Sequence, residues 1–174
     1  EIKRRIKLLG NTGDYDIIIT EIGGTVGDIE SLPYIETIRQ LTWELGEHNS
    51  LVIHLTLVPY LAAAGELKTK PTQHSVRTLM ESGIQANILV TRTEHHLPKD
   101  VKAKLAQFCN VRKENVIESM DADTIYEVPF LLHEQNFDEV VLKGLDLPTD
   151  QEPDFTVWNK FLSNHKNPKN EIEI

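Results

Sequence analysis

Short β-branched runs alternating with helix-length segments constrain this chain more than any other feature. Residues 15–20 (YDIIIT), 51–58 (LVIHLTLV), 86–91 (ANILVT) and 115–118 (NVIE) are strand-length, largely apolar and bounded by turn signals. Between them apolar residues recur at helical spacing. Residues 31–45 place Tyr34, Ile38, Leu41 and Leu45 on one stripe before Gly46, with Ser31 as N-cap and Pro33 in the first turn. A second helix is expected from about Thr72 to Gly83, and a third over 99–109 with Val101, Leu105 and Phe108 on its stripe. Residues 1–10 read as a helix ending at Gly10, 124–137 as helical with a restart at Pro129, and 155–163 as a last helix. Apolar strands that alternate with helices predict an α/β fold, a parallel sheet flanked by helices. In such sheets ligands bind beyond the carboxyl ends of the strands. That rule singles out three loops, 21–30, 58–73 and 91–97.

Charge narrows the function classes. The 174 residues carry 18 Lys and Arg against 27 Asp and Glu, a net charge of −9. Nonspecific nucleic-acid binding needs a broad positive face, so nucleic acid is not an expected partner. Against that background a local cluster of cations carries more weight. Hydrophobic residues at 40% and charged ones at 26% describe an ordinary globular chain. The single cysteine, Cys109, excludes a disulfide framework. The apolar runs are far too short for a membrane helix, and residues 1–10 lack the apolar core of a leader, so a cytoplasmic location without membrane contact is expected. Glu1 in place of Met and the alternating end EIEI read as the interior of a longer chain.

Two loops carry candidate chemistry. Glu21 stands at the tip of the first apolar run, followed by Gly23 and Gly24. A carboxylate there can reach the magnesium of a bound nucleotide, and paired glycines allow backbone amides a close approach. The plain alternative is an acidic residue at a strand end. Asp28 and Glu30 follow, and three carboxylates so close raise one another's pKa unless a cation or donors relieve them. One of the two could instead cap the helix at Ser31. The other loop, GELKTKPTQ, sets Lys68 and Lys70 around Thr69 just ahead of a helix start at Pro71 and Thr72. Amide groups, helix dipole and lysines there favour phosphate over a merely solvated loop. Lys104 lies on the edge of its helix stripe and either snorkels past the core or reaches an anion. His54, His95, His96, Cys109, Trp43 and Trp158 read as structural. No G-x-x-x-x-G-K-[ST] loop occurs.

The stretches EIGGTVGDIESLP (21–33) and GELKTKPTQHS (65–75) resemble the synthetase (amidoligase) domain of the CTP synthase family, with further likeness in FCNV (108–111) and DADTIY (121–126). The resemblance implies a P-loop NTPase-like amidoligase fold, incomplete here. Residues 1–166 would be the later part of that domain, and 167–174 the start of a linker to a glutaminase domain. It implies a ligase in which ATP phosphorylates O4 of UTP and glutamine-derived ammonia displaces the phosphate to give CTP. By position, Glu21 would hold Mg2+. Lys68, Thr69, Lys70, Pro71, Thr72, Gln73 and Lys104 would form the UTP triphosphate site, shared with the feedback inhibitor CTP. Asp28, Ile29 and Glu30 would read the CTP cytidine end. Met120, Asp121 and Ala122 would hold the adenine of ATP through their backbone, with Arg92 nearby in the ATP site. No catalytic side chain is expected within these residues, so the isolated chain is expected to be inactive, and the family assembles as homo-tetramers. Two other readings stand beside it: a catalytically silent nucleotide-binding or assembly module, and an amidoligase of the dethiobiotin synthetase type.

Overall fold

A computed structural model describes residues 1–169. The strands among them are β1 (Ile53–Leu57), β2 (Tyr60–Leu61), β3 (Glu66–Leu67), β4 (Ile88–Thr93) and β5 (Val116–Met120). The longer three form one parallel sheet in the order β1-β4-β5, and β2 and β3 pair as an antiparallel hairpin. Leu55 lies opposite Val90, and Val90 opposite Ile117. The α-helices are α1 (Ile2–Gly10), α2 (Leu32–Leu45), α3 (Lys70–Glu81), α4 (Lys99–Cys109), α5 (Val128–His133), α6 (Phe137–Gly144) and α7 (Thr156–Lys166).

The central strand dictates the layers. Ile88, Leu89, Val90 and Thr91 of β4 are buried in succession, so both faces of the sheet need cover. On one face α3 and α4 bring Val76, Leu105, Ala106 and Cys109 onto Leu89 and Val116. On the other, Leu132 of α5 and Phe137, Val140 and Val141 of α6 pack against Ile88, Val90 and Ile117. Each fully buried Leu or Ile contributes about 1.5–3 kcal/mol. A third cluster joins Ile35 of α2 to Leu79, Ile84 and Ala86, and Ile22 and Val26 pack against it. Tyr126 is gripped by Trp158, Phe161 and His165 of α7.

Several expectations are corrected. Residues 15–20 are not a strand, and Ile19 is 92% exposed. A β-branched run becomes a strand only by bonding to a neighbour, and β1 pairs with β4 alone among the described strands. The buried stripe of α2 runs through Ile35 and Leu41, while Tyr34 and Leu45 are exposed, because the helix docks on Leu79 and Ile84. Phe108 is 58% exposed, since Leu105, Ala106 and Cys109 make the α4 contact. Trp43, expected to pack, is 83% exposed on α2. α3 starts at Lys70 rather than Thr72, with Pro71 in its first turn, where a missing N–H costs nothing. β4 and β5 run on to Thr93 and Met120, which face each other. The expected strand start at 171–174, and most of the expected 167–174 linker, lie outside the described residues.

Candidate functional site

At its carboxyl end β1 leads into the β2–β3 hairpin, and the hairpin hands the chain to α3. Lys68 N–H donates to Pro59 O at 2.9 Å, folding the hairpin back on the strand end. Thr69 and Thr72 turn inward and are buried, and Thr69 Oγ1 accepts from Gln73 Nε2 at 3.0 Å. Lys70 and Pro71 are exposed, with Lys68 and Gln73 half-buried beside them. Lys68 Nζ pairs with Glu66. That hydrogen bond, helped by the charge of Lys104, holds the Glu66 carboxyl below its ordinary range. Lys104, on α4, is exposed and makes no ion pair among the described residues. Lys68 thus pairs with Glu66, Lys104 acts on that carboxylate through its charge, and Lys70 begins the adjoining helix.

The carboxylate loop is built differently from the expectation. Asp28 Oδ2 accepts from Thr25 N–H at 3.0 Å, so this carboxylate braces its own loop. Ser31 does not cap α2 with its side chain; its hydroxyl donates to Asp28 O at 2.8 Å. Gly24 (φ 86°) and Gly27 (φ 104°) supply the left-handed turns. A Cβ on Gly27 would stand 3.3 Å from Thr78 Cγ2, so the loop lies against α3, roughly 12 Å further along that helix than Lys70. Glu21, Ile29 and Glu30 are exposed. Among the described residues no ion pair joins Glu21, Asp28 or Glu30 to Lys68, Lys70 or Lys104. The two loops flank α3 without touching through charge.

The ends of β4 and β5 bring the third group together. Arg92 reaches Asp121 Oδ1 at 3.4 Å, and Asp121 N–H donates to Thr93 O at 3.3 Å. Met120 closes β5 just before. Beside them opens a cavity of about 440 Å³, lined by Asp121, Ala122, Phe130, Leu131 and Glu134 among others.

Sequence reasoning missed the polar residues that fix these loops. Glu118 of β5 is buried, and its carboxylate meets His96 Nδ1 at 2.8 Å, Leu97 N–H at 2.9 Å and Lys102 Nζ at 3.6 Å. Burial raises its pKa, but His96, the Leu97 amide and Lys102 outweigh that and hold it below its ordinary value. The ring of His95 meets Tyr60 edge-on at 4.2 Å, tying the lysine hairpin to the loop after β4. Under α3, His54 Nε2 lies 2.9 Å from Ser75 Oγ. Thr72 Oγ1 lies 2.8 Å from Leu57 O and 3.2 Å from Thr56 Oγ1. The signal was present in β1, where His54 and Thr56 share one face between Ile53, Leu55 and Leu57. Among the described residues no three His, Cys, Asp or Glu groups gather as a metal cluster.

A family model described as CTP synthase N-terminus matches residues 1–147. The chain belongs to the CTP synthase family. The CTP synthase of Flavobacterium psychrophilum is 69% identical over 174 residues, covering 100% of this chain and 32% of that protein. That of Cytophaga hutchinsonii is 60% identical over the same length. That of Bacteroides thetaiotaomicron is 60% identical over 162 residues, 93% of this chain and 30% of that protein. The chain thus spans about a third of the length of its CTP synthase relatives. No helix among the described residues is long and apolar enough to cross a membrane.

Proposed function

We propose that this chain is the nucleotide-binding part of a cytoplasmic CTP synthase, a ligase that aminates UTP to CTP. The γ-phosphoryl group of ATP passes to O4 of UTP. Ammonia, supplied from glutamine by a glutaminase domain, then attacks C4, and inorganic phosphate leaves. The observation that carries this reading is the cation arrangement at the start of α3. Lys68 and Lys70 follow the carboxyl end of β1 at the start of α3, and the charge of Lys104 reaches the same hairpin, in a chain of net charge −9. Cations beside free helix amides suit a triphosphate.

In this reading Lys68, Thr69, Lys70, Pro71, Gln73 and Lys104 form the UTP triphosphate site, which the feedback inhibitor CTP shares, and Thr72 lies buried in the same turn. Asp28, Ile29 and Glu30 read the cytidine end. Met120, Asp121 and Ala122 hold the adenine of ATP, with Arg92 nearby, next to the cavity under Asp121. Mg2+ usually takes one or two carboxylates together with phosphate oxygens, and Glu21, exposed and outside any ion pair among the described residues, suits that donor set. Bound there, the ion would neutralise phosphate charge. The parent assembly is a homo-tetramer.

Calorimetric titration of the full-length protein with UTP, CTP and ATP tests the proposal. UTP and CTP are expected to compete for one site, and Lys70→Ala to weaken both by about tenfold, in line with the loss of a charge-assisted hydrogen bond. Indifference to all three nucleotides overturns it.

A further inference from the structure

We infer that Thr72 is a positioning residue rather than a ligand contact. Its hydroxyl, together with the Ser75–His54 pair, fastens the first two turns of α3 to β1 and so sets where Lys68, Lys70 and Gln73 point. The role rests on the reading of this turn as a UTP and CTP phosphate site.

Burial is the first ground. Thr72 is 0% exposed, so its side chain does not face the solvent that Lys70 and Pro71 face. The second is hydrogen-bond capacity. A hydroxyl has one proton. The Leu57 carbonyl accepts it at 2.8 Å, and the Thr56 hydroxyl lies 3.2 Å away as a second partner inside the fold. With that proton committed, Thr72 has none to donate to a phosphate oxygen. The third is placement. His54 and Thr56 are the buried residues of β1, both on the face that α3 covers, and one turn along α3 Ser75 meets His54 at 2.9 Å. Val76 and Leu79 beside them already supply apolar contact. Apolar packing alone lets a helix slide or roll by fractions of an ångström. Two hydrogen-bonded points, one of them the carbonyl at the end of β1, remove that freedom. Phosphate recognition needs its donors held within about 0.5 Å, so the fastening belongs to the site although it touches no ligand.

Steady-state UTP saturation of the full-length protein tests this. Thr72→Val keeps the shape and removes the hydroxyl. KM for UTP is expected to rise about tenfold with kcat within about twofold, the size of effect a small misplacement produces. Thr72→Ser should restore KM. Thr56→Val removes the partner on β1, away from any ligand, and should raise KM in the same direction. The double variant should be no worse than Thr72→Val alone, because both remove one linkage. Impairment confined to Thr72→Val, with both Thr56→Val and Ser75→Ala silent, would mean that Thr72 touches the nucleotide, and the inference falls. Unchanged KM in Thr72→Val also overturns it. Should Thr72→Val fail to fold by circular dichroism, half-buried Ser75→Ala carries the same expectation and the same refutation. A wild-type protein that does not use UTP sinks the proposed function and this role together. Normal UTP turnover with unaltered variants sinks the role alone.

Discussion

His54 reads in the sequence as one more alternating strand residue, yet it is the buried titratable group under α3. Burial lowers its pKa from the ordinary 6.5. In the unfolded chain the imidazole takes its proton near pH 6.5; in the fold it stays neutral to lower pH. Between those two values the unfolded state binds more protons, so stability is complete above about pH 6.5 and declines as pH falls toward the folded pKa. Urea unfolding at steps from pH 7.5 to 5 should show that decline, and His54→Gln should flatten it. An unchanged slope in the variant would place the titration elsewhere. Among the candidate site residues, Lys68 and Lys70 were readable from charge alone. The inward turn of Thr69 and Thr72 was not, since it depends on the hairpin that delivers them.

Elements were legible where period and length agreed. The expected helix over 99–109 matches α4 residue for residue, whereas the helical stretch expected over 124–137 is α5 alone among the α-helices, with Pro129 in its first turn, and α6 begins at Phe137 where that stretch was to end. The run at 15–20 failed, although its composition is as strand-like as that of β4, because pairing is a property of two segments. The far edge of β5 has a different solution. The side-chain amide of Gln135 accepts from Glu118 N–H at 2.9 Å and donates to Glu118 O, as a neighbouring strand would. No periodicity announces this, since a single amide does the pairing. Gln135→Ala should cost about 1–3 kcal/mol, the loss of two half-buried hydrogen bonds less what water restores. Thermal unfolding reads the loss, and hydrogen exchange should show the Glu118 amide deprotected first. A protected amide in the variant would contradict the assignment.

For the molecule as a whole, cover is unequal. α5 and α6 shield Ile88, Val90 and Ile117, but on the same face of β1 Ile53, Leu55 and Leu57 remain exposed, with Leu55 at 61%. A chain of this form should bind the dye ANS, which reports apolar surface in contact with water. Leu55→Ser should lower that fluorescence while changing stability by less than about 0.5 kcal/mol, as for a surface substitution. Loss of stability well beyond that would mean that Leu55 is packed. By itself the sequence determined the α/β class, the order of most elements, the acidic background and the family to which the chain belongs. Those follow from local periodicity, composition and motif. Only the tertiary structure decided which apolar run gains a partner, that Asp28 braces its own loop, that Lys68 pairs with Glu66, and that Thr72 faces inward. Each depends on where a distant segment lies, and hydrogen bonds and charges act over a few ångströms of space, whatever the separation along the chain.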